Sequence, residues 1–420
     1  MIYESVRGMR DVLPAEVSHW TFLENTVRGI ARRFNYREIR PPLVEHTELF
    51  SRGIGEATDV VNKEMYTFPD KKGRSLTLRP EATASVVRAY IEHGLYTKDP
   101  FQKLFYIGPM FRYDKPQKGR SRQFHQYGVE AIGSLDPSLD VEVIDLAWVL
   151  METLGVSGLS LRLNSIGCAA DRERYRKVLR EYFADRIAVM CEDCKRRYEE
   201  NPLRILDCKV ERCQPSIDGA PGSADHLCSD CADHFDRVRQ ILEDQGLSYE
   251  IDRRLVRGLD YYTRTVFELI SQDLGAQDAL LGGGRYDDLA EMLGGPPTPG
   301  IGFAGGMERL ILILQGQGDG CDDRHRLDLF FATLGEAGRA FALKLAKSLR
   351  EQGLSVDLDY RKRALRKQMS YADRLGAQYL LVFGDDEVAN KMGKLKEMDS
   401  GQEREVTLTP EGILAAVGGR

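Results

Sequence analysis

No stretch of this 420-residue chain stays apolar for the roughly 20 residues that a membrane helix needs. Residues 1–14 carry no apolar core behind a basic end, which predicts no secretory leader. Positive charge is not in excess: 59 Lys and Arg face 65 Asp and Glu, for a net charge of −6. That balance excludes nucleic-acid binding driven by bulk charge, yet leaves room for a local basic face. There is no internal repeat and no low-complexity tract, so a repeat array is excluded. Cysteine is scarce, with eight in the chain. In a long cytosolic chain these read as thiols or metal ligands rather than disulfides. A cytoplasmic protein with no membrane partner is the expectation.

What is present fills two or three domains. Residues 18–34 space their apolar side chains as an amphipathic helix does. Residues 38–44 read as a short strand interrupted by Pro41 and Pro42. Residues 101–111 and 123–132 read as an antiparallel hairpin with a long basic loop. From Cys168 to about Phe235 the chain turns charged and holds seven of the eight cysteines, with a helix predicted over 171–190. A strand pattern returns at 255–270, and 280–314 runs from a glycine cluster into an apolar helix. The cysteine-rich stretch therefore reads as an insertion into a larger domain. Residues 315–326 (QGQGDGCDDRHR) have linker composition. Beyond them strands at 327–333, 355–359 and 379–383 alternate with helices at 338–352 and 365–375, which predicts a small α/β domain. The expected boundaries are 1–167 with 236–316, then 168–235, then 327–420.

Four clusters carry chemistry. Arg112 ends one strand of the hairpin and precedes the loop Tyr113–Arg120 (YDKPQKGR). A guanidinium beside a basic loop suits a polyphosphate, because it binds phosphate in a bidentate fork. On the returning strand Gln126 and Glu130 are an even number of residues apart and share a face. The second cluster is RGLDYYT at 257–263. Paired tyrosines in a strand point to opposite faces, so only one of the two can line a given pocket. The third is GGGRYD at 282–287, followed by GIGFAGGMERL at 300–310, where glycines admit close backbone approach and Arg309 sits in the first turn of a helix. The fourth is TLRPEAT at 77–83, a helix start in which Glu81 serves either the helix dipole or a ligand ammonium. A solvated hairpin, a core strand and plain tight turns are the bland readings of the first three. His125, opposite Gln126, reads as a packed or loop-anchoring residue.

Together these motifs resemble the class II aminoacyl-tRNA synthetases, and specifically the histidyl-tRNA synthetase family. Residues 38–42 are similar to the first class II motif, the Arg112 hairpin to the second, and 300–310 to the third. RGLDYYT resembles the signature of that family, as do RGMRDVLP at 7–14, TLRPE, RQFHQ at 122–126 and GGGRYD. The likeness spans about residues 5–415 outside the insertion. It departs at Ala82, where the family has glycine, and at Gly305, where it has a bulkier residue.

The resemblance implies an α+β fold. An antiparallel-sheet catalytic domain would carry a mainly helical insertion and be followed by a C-terminal α/β anticodon-binding domain, with the first motif at a homodimer interface. It implies that L-histidine attacks ATP to give histidyl-adenylate, with Mg2+ on the phosphates, and that tRNA(His) then accepts histidine. It assigns catalysis to Arg257 and Arg112, ATP binding to Arg112, Glu130, Arg257 and Arg309, and histidine binding to Glu81, Thr83, Gln126, Glu130, Tyr261 and Tyr262. A carboxylate nucleophile is already ionised at neutral pH, so the reaction calls for charge stabilisation and not for a base.

Two CxxC pairs, Cys191 with Cys194 and Cys228 with Cys231, have the spacing of a four-thiolate structural Zn2+ site, with Cys208, Cys213, His226 and His234 as spare candidates, and simple packing is the other reading. The densest basic run, Arg361–Lys367, offers either phosphate contacts to an anticodon arm or a solvated helix face. Two rivals stand beside the main reading. One is a non-catalytic regulatory paralogue serving ATP phosphoribosyltransferase; the other is a class II synthetase for another amino acid. The intact RGLDYYT motif and the C-terminal module weigh against them.

Overall fold

A computed structural model describes residues 3–55, 58–115, 119–271, 279–316 and 327–418. The chain divides into two compact units, Met1–Asp323 and Arg324–Arg420. The centre of the basic hairpin loop (116–118) and most of the linker lie outside the described residues.

The first unit is built on an eight-stranded sheet. Across it the strands run Arg37–Glu38, Gln102–Phe111, Gln123–Ile132, Gly300–Gly306, Ala279–Arg285, Thr263–Ser271, Leu159–Ser165 and Tyr249–Ile251. All neighbours are antiparallel except the outermost pair at each edge. Residues along a strand alternate between two cores. Phe105, Tyr127 and Val129 join one with Trp20, Leu23 and Val27 of the helix Pro14–Arg33. Leu104, Tyr106 and Met110 join the other with Val86, Val87 and Tyr90 of the helix Thr83–Glu92. The long helix starts at Pro14, whose missing N–H costs nothing in a first turn, and buries its apolar residues at three- and four-residue steps.

The cysteine-rich stretch is helical, with Ala169–Phe183, Glu192–Glu200 and Ser229–Asp244 as its main elements. The helix expected over 171–190 stops at Phe183 and gives way to a short 3-10 turn at Ile187–Val189. The fully buried Arg285 guanidinium donates to Asp140 at 2.8 Å and to the Ser134 carbonyl at 2.9 Å, and His234 meets Asp140 at 3.1 Å. This network ties the glycine-rich strand to the helices Pro137–Thr153 and Ser229–Asp244.

In the second unit, Val356–Leu358, Leu329–Thr333 and Tyr379–Phe383 pair in parallel, and Met392–Glu397 and Glu403–Thr407 continue the sheet antiparallel. Leu329 and Phe331 face the core under the helix Gly335–Glu351, while Phe330 and Ala332 face the opposite side. Among the described residues no helix is long and apolar enough to cross a membrane.

Candidate active site

The hairpin and its neighbour strand create the floor of a cavity of about 390 Å³. Gln126 pairs with Gly306 and Glu130 with Gly302, so both side chains rise from one face beside residues without bulk. The cavity brings together Glu81, Thr83, Arg112, Gln126, Glu130, Arg257, Tyr261, Tyr262 and Arg309, every residue to which a histidine- or nucleotide-binding role was assigned.

Glu130 is almost fully buried. Its carboxylate accepts from the Thr83 hydroxyl at 2.7 Å and from the Tyr286 hydroxyl at 2.6 Å. Burial raises its pKa to about 8 against these two donors. Glu81, also buried, caps the helix Thr83–Glu92 by accepting from the Thr83 and Ala84 amides at 2.7 and 2.9 Å, and burial raises its pKa too. The same carboxylate thus serves the helix and lines the cavity. Gln126 Oε1 is buried without a hydrogen-bond partner. A buried carbonyl left in that state forfeits on the order of 1–3 kcal/mol unless a ligand donates to it.

Five arginines line the same cavity, Arg120 and Arg204 beside the three to which a phosphate role was assigned. Arg112 donates through Nε to the Pro80 carbonyl at 2.8 Å and lies over the Phe124 ring. Arg309 donates to the Ala279 carbonyl. Arg257 pairs with Glu268; burial works against its charge, but Glu268 and Tyr262 outweigh it and raise its pKa. Arg257 lies across Gly282, where an added Cβ would collide with the guanidinium. Only glycine leaves that arginine its place.

The strand expected over 255–270 begins only at Thr263. Residues 258–261 instead form a bend and turn ahead of it, so the alternation rule for the paired tyrosines does not apply. Tyr261 and Tyr262 both line the cavity, with ring centroids 4.8 Å apart.

The departures at Ala82 and Gly305 are accommodated. Ala82 is buried with a negative φ of −111°, which needs no glycine. A Cβ on Gly305 would meet the Tyr127 hydroxyl, so the tyrosine takes up the space. His125 lies outside the cavity lining: its ring meets Trp20 edge-on at 4.8 Å, and its Nδ1 is 3.1 Å from Glu308.

Sequence reasoning gave no role to Tyr286, Arg204 or Glu64, all of which line the cavity. Tyr286 sits inside the quoted GGGRYD, so its signal was present. Arg204 comes from the cysteine-rich stretch, where nothing in the spacing points to the cavity.

The two CxxC pairs do not share a site. Cys191 and Cys194 gather with Cys208 and Cys213, whereas Cys228 and Cys231 gather with Cys168 and Asp171. The expected Cys191, Cys194, Cys228, Cys231 grouping is corrected accordingly. Pairs that match in sequence spacing were separated by the helices between them.

A family model for histidyl-tRNA synthetase matches residues 8–310, and one for an anticodon binding domain matches 328–412. The chain is 49% identical over 408 residues to a histidine–tRNA ligase of Caldanaerobacter subterraneus subsp. tengcongensis, covering 97% of this chain and 98% of that one. It is 48% identical over 415 residues to a histidine–tRNA ligase of Geobacter sulfurreducens, covering 98% and 99%. The crystal structure of apo S. aureus histidyl-tRNA synthetase superposes with a TM-score of 0.83 at 39% identity, covering 99% of this chain and all of that one.

Proposed function

Because the chain belongs to the histidyl-tRNA synthetase family, we propose that its cavity activates L-histidine with ATP, and that the residues divide the work as follows. The chain is an aminoacyl-tRNA ligase that joins histidine to tRNA. The observation that carries the site assignment is the meeting of Arg112, Arg257 and Arg309 with Gln126 and Glu130 in one cavity, from three distant stretches of chain.

The histidine carboxylate attacks the α-phosphorus of ATP, and pyrophosphate leaves. Arg112 and Arg257 neutralise the charge that builds on the α-phosphate, and Arg309 holds the γ-phosphate. Mg2+ would accompany ATP and would add positive charge at its outer phosphates. Glu268 orients Arg257 by ion pairing, so the guanidinium is fixed before the substrate arrives. The terminal 3′-hydroxyl of tRNA(His) then attacks the adenylate carbonyl.

Imidazole presents one donor and one acceptor when neutral and two donors when charged. Glu130 accepts from one ring nitrogen, and Tyr262 serves the other. Gln126, whose carbonyl lacks a partner, accepts from the α-ammonium, together with Glu81 and Thr83. Tyr261 completes the wall, and Tyr286 holds the Glu130 carboxylate. An amino acid without ring nitrogens would leave these buried groups unpaired.

Residues 1–167 with 236–316 form the catalytic domain in this reading, 168–235 the insertion, and 327–420 the anticodon-binding domain. A cytoplasmic homodimer and a structural zinc in the insertion belong to the same reading. The exposed apolar Leu43 and Val44, beside the first motif, support the dimer. ATP–pyrophosphate exchange measured with each amino acid tests the function. Exchange is expected with histidine, followed by charging of tRNA(His). Exchange with a different amino acid, or with none, would overturn it.

A further inference from the structure

Cys191, Cys194, Cys208 and Cys213 are all buried, none is in a disulfide, and their sulfurs all lie within 4.8 Å of one another. The Cys191 and Cys208 sulfurs are 3.8 Å apart. A disulfide needs about 2.05 Å. A tetrahedron with arms of about 2.3 Å, the Zn–S bond length, has an edge of about 3.8 Å. Backbone amides also address these sulfurs: Cys191 N–H donates to Cys213 Sγ at 3.2 Å, and Val210 N–H to Cys208 Sγ at 3.4 Å. Such donors orient the sulfurs, as the outer partners of metal ligands do. Soft, tetrahedral, all-sulfur donation selects zinc among the common divalent ions.

The chain between Cys194 and Cys208 grips the signature loop. Asn201 Nδ2 donates to Asp260 Oδ1 at 2.9 Å. Arg204 Nη1 donates to the Arg257 carbonyl at 3.3 Å and its side chain lines the cavity. Arg197 Nη2 pairs with Asp59, another cavity residue, at 3.0 Å. Leu203, Ile205 and Leu206 of this span are buried.

We propose that Cys191, Cys194, Cys208 and Cys213 bind one Zn2+, and that this ion closes the 195–207 loop so that Asn201 and Arg204 hold the backbone of Arg257 in its working place. Asn201 and Arg204 are positioning residues. The positioning half rests on the adenylate-forming reading of the cavity; the metal half does not. The second group is different in kind. Its Asp171 carboxylate already accepts from the Cys168 and Cys228 amides at 3.3 and 3.0 Å and pairs with Arg174, so it enters only as a control.

The test uses the full chain carrying Cys228→Ser and Cys231→Ser, which disables the second group. Stripped of metal and titrated with Co2+, it should develop thiolate-to-cobalt charge-transfer bands and the visible bands of tetrahedral cobalt, and Zn2+ should bleach them. Adding Cys208→Ser should weaken these bands; circular dichroism checks that the protein still folds. Absence of the bands before that last change, or their indifference to it, overturns the metal half. In the otherwise native chain, Asn201→Ala and Arg204→Ala leave every thiol in place. Zinc content should be unchanged and kcat for histidine-dependent pyrophosphate exchange should fall about tenfold, with KM for histidine within about twofold. An unchanged kcat overturns the positioning half. No exchange in the native protein would fault the reading of the cavity, taking the positioning half with it and leaving the metal half standing.

Discussion

Arg257 is held by Glu268 on one side and by the Arg204 contact to its carbonyl on the other. Its guanidinium is therefore oriented in advance, and preorganised charge contributes most where charge develops in the transition state. Arg257→Ala should lower kcat for adenylate formation by about 10²- to 10³-fold, while calorimetric histidine affinity changes by less than about threefold. Arg257→Lys should recover little of this, because an ammonium cannot present two parallel donors. Equal losses in rate and in affinity would contradict the role. Glu130 makes a prediction about pH. Burial raises its folded pKa to about 8, well above the usual carboxylate range. The unfolded chain therefore gives up this proton at lower pH than the folded one. The resulting stability is full below the unfolded pKa and is lost as pH rises through the folded value. Between about pH 4.5 and pH 8 the ligand-free protein should lose stability on the order of a few kcal/mol from this group. Glu130→Gln should flatten that slope in thermal melts taken across the range. A variant with the same slope would remove Glu130 as its source.

At the scale of elements, the glycine strand and the signature turn work as one device. Gly282 sits where the Arg257 guanidinium crosses the sheet, and its φ needs no special allowance. Gly282→Ala should accordingly leave the strand intact, with stability within about 1 kcal/mol of the parent, and push the arginine aside. The expected result is a fall in kcat of about tenfold or more with an unchanged melting temperature. A matched fall in stability would mean that the strand itself had moved. Elements whose patterns are local were legible in the sequence. The amphipathic spacing of the first helix and the alternation of the hairpin strands each give their own position. The RGLDYYT segment misled because its apolar residues continue into the true strand at Thr263, and no local signal marks the turn that precedes it. Cys208 and Cys213 were spare ligand candidates in the sequence, but which cysteines they join was out of reach. Which thiols meet depends on how the helices Ala169–Phe183 and Ser229–Asp244 pack, and that is a tertiary fact.

At the scale of the whole molecule, the proposed function gives the two units separable tasks, and the second offers a test that leaves the first untouched. Alternation of strand and helix announced its first three strands. The closing antiparallel strands Met392–Glu397 and Glu403–Thr407 were not foreseen, because their exposed, charged faces dilute the apolar signal. The basic run that follows the strand Val356–Leu358 and enters the helix Leu365–Arg374 is not uniform. Arg363 donates to Asp359 at 2.6 Å and lies over the Tyr371 ring, so it holds the turn together. Arg361, Lys362, Arg366 and Lys367 are exposed, and Lys362 pairs with Glu336 at 3.1 Å. Reversing Arg361, Arg366 and Lys367 should spare both the turn and that pair. Arg361→Glu, Arg366→Glu and Lys367→Glu combined should weaken tRNA(His) binding by about tenfold or more at low salt, and the dependence of log Kd on log salt should become shallower. Histidine-dependent ATP–pyrophosphate exchange should stay at the parental rate, because the residues proposed for that step all lie in the other unit. Arg363→Glu should behave differently. It breaks the Asp359 pair, so a drop in the melting temperature of this unit is expected alongside any loss of tRNA. If the triple variant bound tRNA normally, the basic run would be a solvated face and the anticodon arm would have to meet the sheet elsewhere.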